Sequence, residues 1–300
     1  MSAFSDDGRH GVGAPCSEEP GGRRAGAAKP PTDTDGLVVS GLVVRYGGLV
    51  AVDGVNLTAP PGRVTGLIGP NGAGKTTTFN ACSGLVRPTE GRVHLFGSDV
   101  TSSSPPARAQ RGLGRTFQRM ELFDSLLVRE NVALGREAGM AGSRPWNHLR
   151  ARHADRDAIR AATDDALELC GITHLADRRP ADLSTGQRRL VELARVVAGG
   201  FRLLLLDEPS SGLDHTETDR FGDALRTLVE ERGTGLLIVE HDMALVMRIC
   251  HYVYVLDFGR PIFEGEPQAV VASDVVRAAY LGDETAELAE MEAAMEAGHV

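Results

Sequence analysis

The chain has 300 residues, enough to bury a full hydrophobic core and to form one large domain or two small ones. It carries 32 basic and 41 acidic residues, a formal net charge of −9, and the basic residues form no block. An acidic chain without a basic patch gives a nucleic-acid partner no electrostatic support, so we expect no nucleic acid among its partners.

The cysteines and the apolar runs indicate the cellular compartment of the protein. Its four cysteines lie far apart with no C-x-x-C pair, which is typical of reduced thiols in a cytosolic protein and argues against zinc. No run of about 18 apolar residues is present, and the N-terminus lacks the apolar core of a signal peptide. If the protein serves a membrane, we expect it to do so from the cytosolic side.

Residues 1–36 are rich in Gly, Pro, Asp and Arg and nearly lack large apolar side chains. So little apolar surface cannot offset the entropy lost on ordering, so this stretch is predicted to be a disordered extension. After it the composition changes to β-branched runs, which predict strands at Leu37–Val39, Leu42–Arg45 and Ala51–Leu57.

Tyr46 follows the second of these runs and stands beside two glycines. A lone tyrosine is usually a packing residue. At a strand end 23 residues before Gly69, however, this one is also suited to stack on a purine ring. Its position relative to the motif at Gly69 favours the second interpretation.

The stretch from Gly69 to Thr77 reads G-x-x-x-x-G-K-[ST], the pattern of a loop that binds nucleotide phosphates. A predicted strand, Arg63–Ile68, precedes it and a predicted helix, Thr77–Leu85, follows it, which is the setting that the motif requires. The candidate nucleotide-binding residues are Tyr46, Gly69, Pro70, Asn71, Gly72, Ala73, Gly74, Lys75, Thr76 and Thr77.

The chemistry of the loop follows from two side chains. Lys75 is suited to reach the β- and γ-phosphate oxygens, and the Thr76 hydroxyl to take a Mg²⁺ coordination position. Of the 32 basic residues only Lys29 and Lys75 are lysine. A compact ammonium fits a phosphate cradle where a planar guanidinium does not, so the chain is predicted to bind a nucleoside triphosphate.

The middle of the chain has a helical pattern. Helices are predicted at Ser125–Arg136 and Ala154–Cys170, and no heptad repeat persists, which argues against a coiled coil. Residues 100–182 are therefore predicted to form a compact helical subdomain. The string Arg115-Thr116-Phe117-Gln118 lies near its start.

The string Leu183-Ser184-Thr185-Gly186-Gln187 opens a predicted helix that runs to about Ala198. Ser184 and Gln187 have the S-x-x-Q spacing of a capping box, in which each side chain bonds to a backbone N–H of the other. The same N–H groups, the Ser184 hydroxyl and Gly186 also suit an anion. On spacing alone the capping box is favoured, since such boxes are common.

Four consecutive leucines, Leu203–Leu206, predict a parallel strand buried on both faces. Asp207 and Glu208 follow at its carboxyl end, where open α/β sheets bind ligands. Asp207 is suited to hold Mg²⁺ directly or through water, and Glu208 to polarise a water that attacks the γ-phosphate. The alternative, an ordinary acidic turn, is weakened by the phosphate-binding loop.

The rest of the chain completes the sheet. Ser211-Gly212-Leu213-Asp214 predicts a tight turn before a helix, and Gly235–Glu240 predicts a further buried strand that ends at His241. Tyr252–Leu256 and Pro261–Glu264 predict a final hairpin.

Residues 283–300 differ from everything before them. They hold six acidic residues and no lysine or arginine. This composition predicts an acidic C-terminal tail, and no function follows from it.

In order and spacing these motifs resemble an ABC-type ATPase subunit over about residues 37–282. The resemblance implies an α/β fold, a P-loop NTPase (RecA-like) core with an antiparallel β subdomain and a helical signature subdomain. Thr185 stands where the family signature has glycine. We expect no loss of function from it, because the contacts come from Ser184, Gly186 and backbone N–H groups.

Residue roles follow from the same resemblance. It implies an ATPase in which Glu208 is the catalytic base, His241 the switch histidine and Lys75 a phosphate ligand. Gln118, at the position of the family's Q-loop, is the fourth catalytic residue that it implies. Further roles are adenine stacking by Tyr46, Walker A at Gly69–Thr76, metal binding by Thr76, Gln118 and Asp207, the signature at Leu183–Gln187, Walker B at Leu203–Asp207 and the D-loop at Ser211, Gly212, Leu213 and Asp214.

Within the family, several strings are similar to the ATPases of branched-chain amino acid importers. They are Tyr46–Ala51, Arg115–Gln118, Glu130–Val132, Leu256–Arg260 and Ala279–Gly282. This similarity implies import of branched-chain or related amino acids. Another cargo, such as urea, amides, other small solutes or an exported lipid, stays open.

The resemblance also implies partners. Two ATP molecules, with Mg²⁺, would lie between the P-loop of one protomer and the signature helix of another, in a homodimer or with a sister subunit. Transmembrane permease subunits and a separate substrate-binding protein would complete the assembly, with this chain peripheral at the cytoplasmic face of the membrane.

Two other classes of protein are less consistent with the motifs. A soluble ABC protein of translation or DNA repair usually has tandem cassettes or long coiled-coil inserts, and this chain has one cassette and no coiled coil. A P-loop kinase of small molecules would need neither the motif at Ser184 nor His241.

Overall fold

The computed structural model describes residues 35–116, 122–141 and 153–280. The predicted acidic tail, all but two residues of the predicted N-terminal extension, and Gln118 lie outside these ranges. The strands are β1 (Leu37–Tyr46), β2 (Leu49–Ala59), β3 (Val64–Ile68), β4 (Glu90–Leu95), β5 (Ser98–Asp99), β6 (Leu113–Arg115), β7 (Leu203–Asp207), β8 (Gly235–Val239), β9 (Tyr252–Asp257) and β10 (Arg260–Gly265). The α-helices are α1 (Lys75–Ser83), α2 (Pro105–Ala109), α3 (Val128–Ala141), α4 (His153–Leu169), α5 (Thr185–Ala198), α6 (His215–Arg232), α7 (Met243–Ile249), α8 (Pro267–Val271) and α9 (Asp274–Tyr280).

A four-stranded antiparallel sheet has the order β2-β1-β4-β5. The sequence predicts two strands over residues 37–45, where the structure has the single strand β1, with register shifts against β2 on both sides of Leu42. Gly41, at φ 58°, lies at this β-bulge and turns the chain without ending the pairing. The bulge breaks the alternation of side chains, so one strand has the sequence pattern of two.

The central sheet has six strands in the order β10-β9-β3-β8-β7-β6. Its neighbouring pairs from β9 to β6 are parallel, and β10 returns antiparallel against β9 as the predicted final hairpin. Alternate leucines of β7 belong to two different apolar clusters, one on each face of the sheet. The prediction of a parallel strand buried on both faces at Leu203–Leu206 is confirmed.

Helices α3, α4 and α5 pack together on one face of the central sheet. Val132, Leu167 and Leu193, one from each helix, are buried in the same cluster. The range 100–182, predicted to be helical, also contains β6, which pairs with β7 in the central sheet. A strand of three residues is too short to give a recognisable alternation of apolar side chains. In the described ranges no helix combines the length and the apolar character needed to cross a membrane.

A buried arginine fixes the C-terminal end of α1, the helix that follows the phosphate-binding motif. Arg108 is 1% exposed. Its guanidinium donates to the carbonyl oxygens of Ala81 (2.7 Å) and Cys82 (2.6 Å), which end α1. It also donates to Val100 (2.7 Å) and Ser103 (3.2 Å). The last carbonyls of a helix have no partner within it and carry the negative end of the helix dipole, so a cation stabilises them.

Replacement of Arg108 by methionine is expected to lower the free energy of unfolding by about 3 kcal/mol, because the Cys82 and Ser103 carbonyl oxygens lose their donor. The carbonyl oxygens of Ala81 and Val100 keep backbone N–H donors. Arg108→Lys keeps some of these bonds and is expected to lose less. Urea denaturation followed by circular dichroism measures both changes.

Arg111→Met is the matched control, because Arg111 is exposed and its side chain donates to the nearby carbonyl of Ala107, four residues earlier in the chain. Its effect is expected to stay within about 0.5 kcal/mol. Equal unfolding midpoints for Arg108→Met and the unchanged protein would contradict the role assigned to Arg108.

Candidate nucleotide-binding site

The loop between β3 and α1 is pressed closely against two strands. Gly69 and Gly74 have φ values of 146° and 91°. A Cβ atom at Gly69 would overlap the carbonyl oxygen of Leu256 in β9. A Cβ atom at Gly74 would lie 2.7 Å from the carbonyl oxygen of Ala51 in β2. Only glycine fits both positions, which keeps the loop curled.

Lys75 begins α1, and its ammonium lies against the loop. Its Nζ donates to the carbonyl oxygens of Gly69 and Pro70, at 3.0 Å for Pro70. Gly74 is the N-cap residue of α1 and supplies no side-chain acceptor. No side chain caps the N-terminus of α1, whose dipole favours an anion, as the sequence motif predicts.

A cavity of about 330 Å³ opens at this loop. It is lined by Leu49–Ala51, Asn71–Thr77, Glu208 and Phe258. A larger cavity of about 560 Å³ lies at the opposite end of the central sheet, where Arg202 and Thr234 precede β7 and β8. Ligands of open α/β sheets bind at the carboxyl ends of the strands, so the smaller cavity is the candidate site.

Asp207 ends β7 with its side chain buried. Its Oδ2 lies 3.6 Å from Nη2 of Arg115, and no group in the described ranges donates a hydrogen bond to its Oδ1. Burial raises the pKa of Asp207, and the charges of Arg115 and Lys75 oppose that shift. A buried carboxylate oxygen without a donor fits a cation, and carboxylate and hydroxyl oxygens are ligands that Mg²⁺ prefers. Asp207 and Thr76 are therefore chemically suited to hold Mg²⁺.

Arg115 ends β6 and has no role in the sequence predictions beyond its place in a string. Its Nη1 donates to Oδ1 of Asn80 (2.8 Å) and Oγ of Ser83 (2.7 Å), both on α1. The guanidinium carbon lies 4.7 Å from the ring centroid of Phe79. Arg115 thus ties the helix after the P-loop to Asp207. These partners are at least 32 residues away along the chain, so no local pattern indicates them.

Glu208 lines the cavity on a strained backbone. Its φ is 46°, a left-handed value that is uncommon for a residue other than glycine. Its N–H donates to the carbonyl of Val239 (2.8 Å), and its carbonyl accepts from the N–H of Ser211 (3.1 Å). Such strain persists where neighbouring structure enforces it, and it clusters at functional sites. The strain supports a functional role for this carboxylate.

Glu240 follows β8 and is a carboxylate that the sequence predictions missed. It is fully buried and accepts from the backbone N–H groups of Ser210 (2.9 Å) and His241 (3.1 Å). Burial raises the pKa of Glu240, and the hydrogen bonds from Ser210 oppose that shift. Nδ1 of His241, half-exposed, lies 4.0 Å from this carboxylate. Glu240 thus connects the turn after Glu208 to the segment of His241. The sequence feature that could have indicated Glu240 is its position at the end of an apolar strand.

Ser184 caps α5 as the spacing predicts. The Gln187 N–H donates to the Ser184 Oγ (3.2 Å), and the Ser184 N–H donates to the Gln187 side chain (3.2 Å). The capping-box interpretation is confirmed. Thr185, where the family signature has glycine, is exposed, so its methyl and hydroxyl groups meet no crowding from the core.

The anion position at the start of α5 holds a carboxylate of the same chain. Oε1 of Glu217 accepts from Oγ of Ser184 (2.9 Å) and from the N–H of Gly186 (3.2 Å). Glu217 also forms the capping box of α6 with Asp214, whose Oδ1 accepts from the Glu217 N–H (2.8 Å). A Cβ atom at Gly186 would lie 2.5 Å from the Glu217 carboxyl carbon, so glycine is required for this approach. The sequence predictions missed Glu217, since its partners are on another helix.

The remaining predicted site residues lie apart from the cavity lining. Tyr46 ends β1 half-exposed, and neither it nor Leu183–Gln187 lines the cavity. The predicted turn Ser211–Asp214 is present, with a bond from the Leu213 N–H to the Ser210 carbonyl (3.0 Å). Within the described ranges of one chain, the cavity therefore combines the P-loop with Glu208 and lacks the segment at Ser184.

Comparisons with known proteins show the family of the chain. Residues 52–211 match the family model described as ABC transporter. The chain is 37% identical over 250 residues to the high-affinity branched-chain amino acid transport ATP-binding protein BraF of Pseudomonas aeruginosa. The matched region covers 82% of this chain and 98% of BraF. It is 37% identical over 251 residues to LivG of Escherichia coli (strain K12), a protein of the same description, with 82% and 98% covered.

Solved structures have the same fold. The ADP conformation of MJ1267, an ATP-binding cassette of an ABC transporter, matches with a TM-score of 0.73 at 30% identity, over 83% of this chain and 99% of that one. The dimeric structure of MJ0796, a bacterial ABC transporter cassette, matches with a TM-score of 0.64 at 25% identity, over 77% and 98%. The predicted α/β P-loop NTPase fold is confirmed.

Proposed function

Because the chain belongs to the ABC transporter family, as an ATP-binding and ATP-hydrolysing subunit, we propose that its P-loop cavity binds Mg²⁺ and ATP and that Glu208 is the general base. The observation that supports this most is the cavity of about 330 Å³, because Lys75 and Glu208 line the same space. A phosphate anchor and a carboxylate in one cavity are what hydrolysis of a γ-phosphate requires.

Binding is divided among backbone and side chains. Backbone N–H groups at the start of α1 and the Lys75 ammonium hold the phosphates, as the curled loop and a helix N-terminus without a side-chain cap favour. Asp207 and Thr76 hold Mg²⁺, which neutralises charge on the phosphate oxygens when it is bound. Arg115 occupies one oxygen of Asp207 and leaves the other for this purpose.

Hydrolysis depends on residues at the carboxyl end of the sheet. Glu208 accepts a proton from the water that attacks the γ-phosphate. His241 contacts the γ-phosphate and Gln118 the metal, the roles that the family resemblance implies. Glu240 orients the segment of His241 through its backbone bonds.

Glu208→Gln is expected to keep ATP binding and to slow ATP turnover by about 10²–10⁴, the usual contribution of general-base catalysis. Lys75→Ala is expected to weaken ATP binding itself, because it removes the phosphate anchor. A coupled assay of phosphate release and calorimetric titration with ATP separate the two effects. Near-normal turnover in Glu208→Gln would remove Glu208 from this role.

We further propose that the chain acts as a dimer, with a second copy or a sister subunit, in which Ser184 of one protomer contacts the ATP of the other. The support is the anion position at the start of α5, where the Glu217 carboxylate accepts from Ser184 and Gly186. A group that binds one carboxylate oxygen suits a phosphate oxygen equally. The γ-phosphate of the partner's ATP then takes the place of Glu217.

This exchange predicts opposite effects of two substitutions, measured by light scattering in the Glu208→Gln background. Ser184→Arg is expected to abolish the ATP-dependent shift from monomer to dimer, because the guanidinium fills the anion position. Glu217→Gln removes the competing charge and keeps a capping box, so dimerisation is expected at about fivefold lower ATP, equivalent to about 1 kcal/mol. An ATP-driven dimer that is unchanged in both variants would leave Ser184 with its capping role alone.

For the transported cargo we propose import of branched-chain or related amino acids, with permease subunits in the membrane, a separate substrate-binding protein, and this chain at the cytoplasmic face. The support is the identity to BraF and LivG over most of each chain. A second candidate, lipid export, is favoured by 34% identity over 248 residues to the lipopolysaccharide export protein LptB of Haemophilus influenzae. The string Arg115–Gln118 supports the importer, as in the family resemblance.

Cells whose chain carries Glu208→Gln are expected to lose uptake of labelled leucine, isoleucine and valine, measured in a background without redundant importers. Cells with the unchanged chain provide the reference rate, and glucose uptake checks that the membrane remains energised. Unchanged uptake of all three amino acids would reject this cargo while leaving the ATPase intact, and loss of urea or amide uptake instead would identify the other class of solute.

A further inference from the structure

The turn between β9 and β10 has an exposed aromatic ring at the P-loop cavity. Asp257 pairs with Arg260, so the turn has two central residues, Phe258 and Gly259, with φ values of 42° and 79°. Positive φ at both positions is typical of a type I′ turn, whose first position favours Asn, Asp or Gly and strains a bulky residue. Phe258 is nevertheless present, is 88% exposed, and lines the cavity.

The chain contains a second turn of this kind, which shows what is unusual about Phe258. Phe96 and Gly97 join β4 to β5 with φ values of 48° and 77°. The Phe96 ring packs against the apolar cluster that contains Phe79, Leu203 and Leu205, and the guanidinium carbon of Arg202 lies 3.8 Å from the ring centroid. Packing accounts for an aromatic residue at Phe96. At position 258 neither the turn geometry nor burial explains the presence of an aromatic residue.

Backbone bonds fix the position of this turn against the P-loop. The Gly259 N–H donates to the carbonyl of Ala73 (3.1 Å), and the Gly259 carbonyl accepts from the N–H of Asp53 (2.8 Å). Arg260 adds an ion pair to the Asp53 carboxylate (2.8 Å). The turn therefore keeps its place without the Phe258 ring, and substitution of that ring leaves these bonds available.

We infer that Phe258 binds the nucleoside part of ATP. A nucleotide whose phosphates lie in the P-loop leaves its sugar and base outside the phosphate cradle. The cavity wall outside the cradle consists of Leu49–Ala51, Glu208 and Phe258, and of these only Phe258 offers an aromatic face. Aromatic side chains stack on bases of any sequence. Tyr46, the stacking residue that the family resemblance implies, pairs with the lining residue Leu49, so Phe258 would be a second aromatic contact for the nucleoside.

This inference rests on the proposed ATP site, and the test separates the two. Calorimetric titration of the full chain compares ATP with inorganic tripolyphosphate, which lacks a nucleoside. Phe258→Asn is the decisive variant, because asparagine suits the turn and relieves its strain. Its Kd for ATP is expected to rise about 5- to 100-fold, the range for loss of one base–aromatic contact, while its Kd for tripolyphosphate stays unchanged. Phe258→Tyr is expected to retain ATP affinity.

Two control variants test whether the effect is specific to Phe258 and whether both ligands bind at the P-loop. Val275→Asn replaces another exposed apolar residue, on α9 outside the cavity, and is expected to change neither Kd. Lys75→Ala is expected to lose both ligands, which shows that both occupy the P-loop.

Each adverse result has a distinct meaning. An unchanged ATP Kd in Phe258→Asn, or an equal loss of both ligands, would overturn the role of Phe258 while the ATP site stands. Failure of the unchanged chain to bind either ligand would overturn the ATP site itself.

Discussion

The curl of the phosphate-binding loop depends on backbone contacts from distant parts of the chain. The carbonyl oxygen of Leu256 in β9 lies where a side chain at Gly69 would begin. Gly259, in the turn after β9, bonds to the backbone of Ala73 in the loop and of Asp53 in β2. The loop therefore keeps its curl only while β2, β3 and β9 stay in register. A site made largely of backbone requires the whole fold around it.

Three carboxylates at the carboxyl end of the central sheet have different environments, and the environments separate their roles. Asp207 lies against Arg115, and Glu240 accepts backbone N–H bonds, so the cost of burying both is offset by specific partners. Glu208 lines the cavity on strained backbone. The buried pair is suited to hold a metal and to orient neighbouring segments, whereas Glu208 is suited to meet the attacking water.

Features whose partners are close in sequence could be predicted, and those with distant partners could not. Ser184 and Gln187 are three residues apart, and the capping box predicted from that spacing is present. Leu203–Leu206 consists of apolar residues alone, and the buried strand predicted from that composition is present. Arg108 bonds to a carbonyl 27 residues away, and Glu217 bonds to a hydroxyl 33 residues away. Spacing and periodicity report on neighbours along one element. Contacts between elements depend on how the sheet and helices pack, which no local pattern contains.

If Lys75 and Ser184 act across a dimer interface, two chains that are each inactive must restore one another. The direct measurement is the ATPase rate of purified Lys75→Ala and Ser184→Arg chains, separately and mixed in equal amounts. A mixed dimer has one complete site, made of the P-loop of the Ser184→Arg chain and the signature helix of the Lys75→Ala chain. We predict a mixed rate well above the sum of the separate rates, up to about a quarter of the unchanged protein if chains pair at random. A mixed rate equal to that sum would contradict a site shared between two copies of this chain.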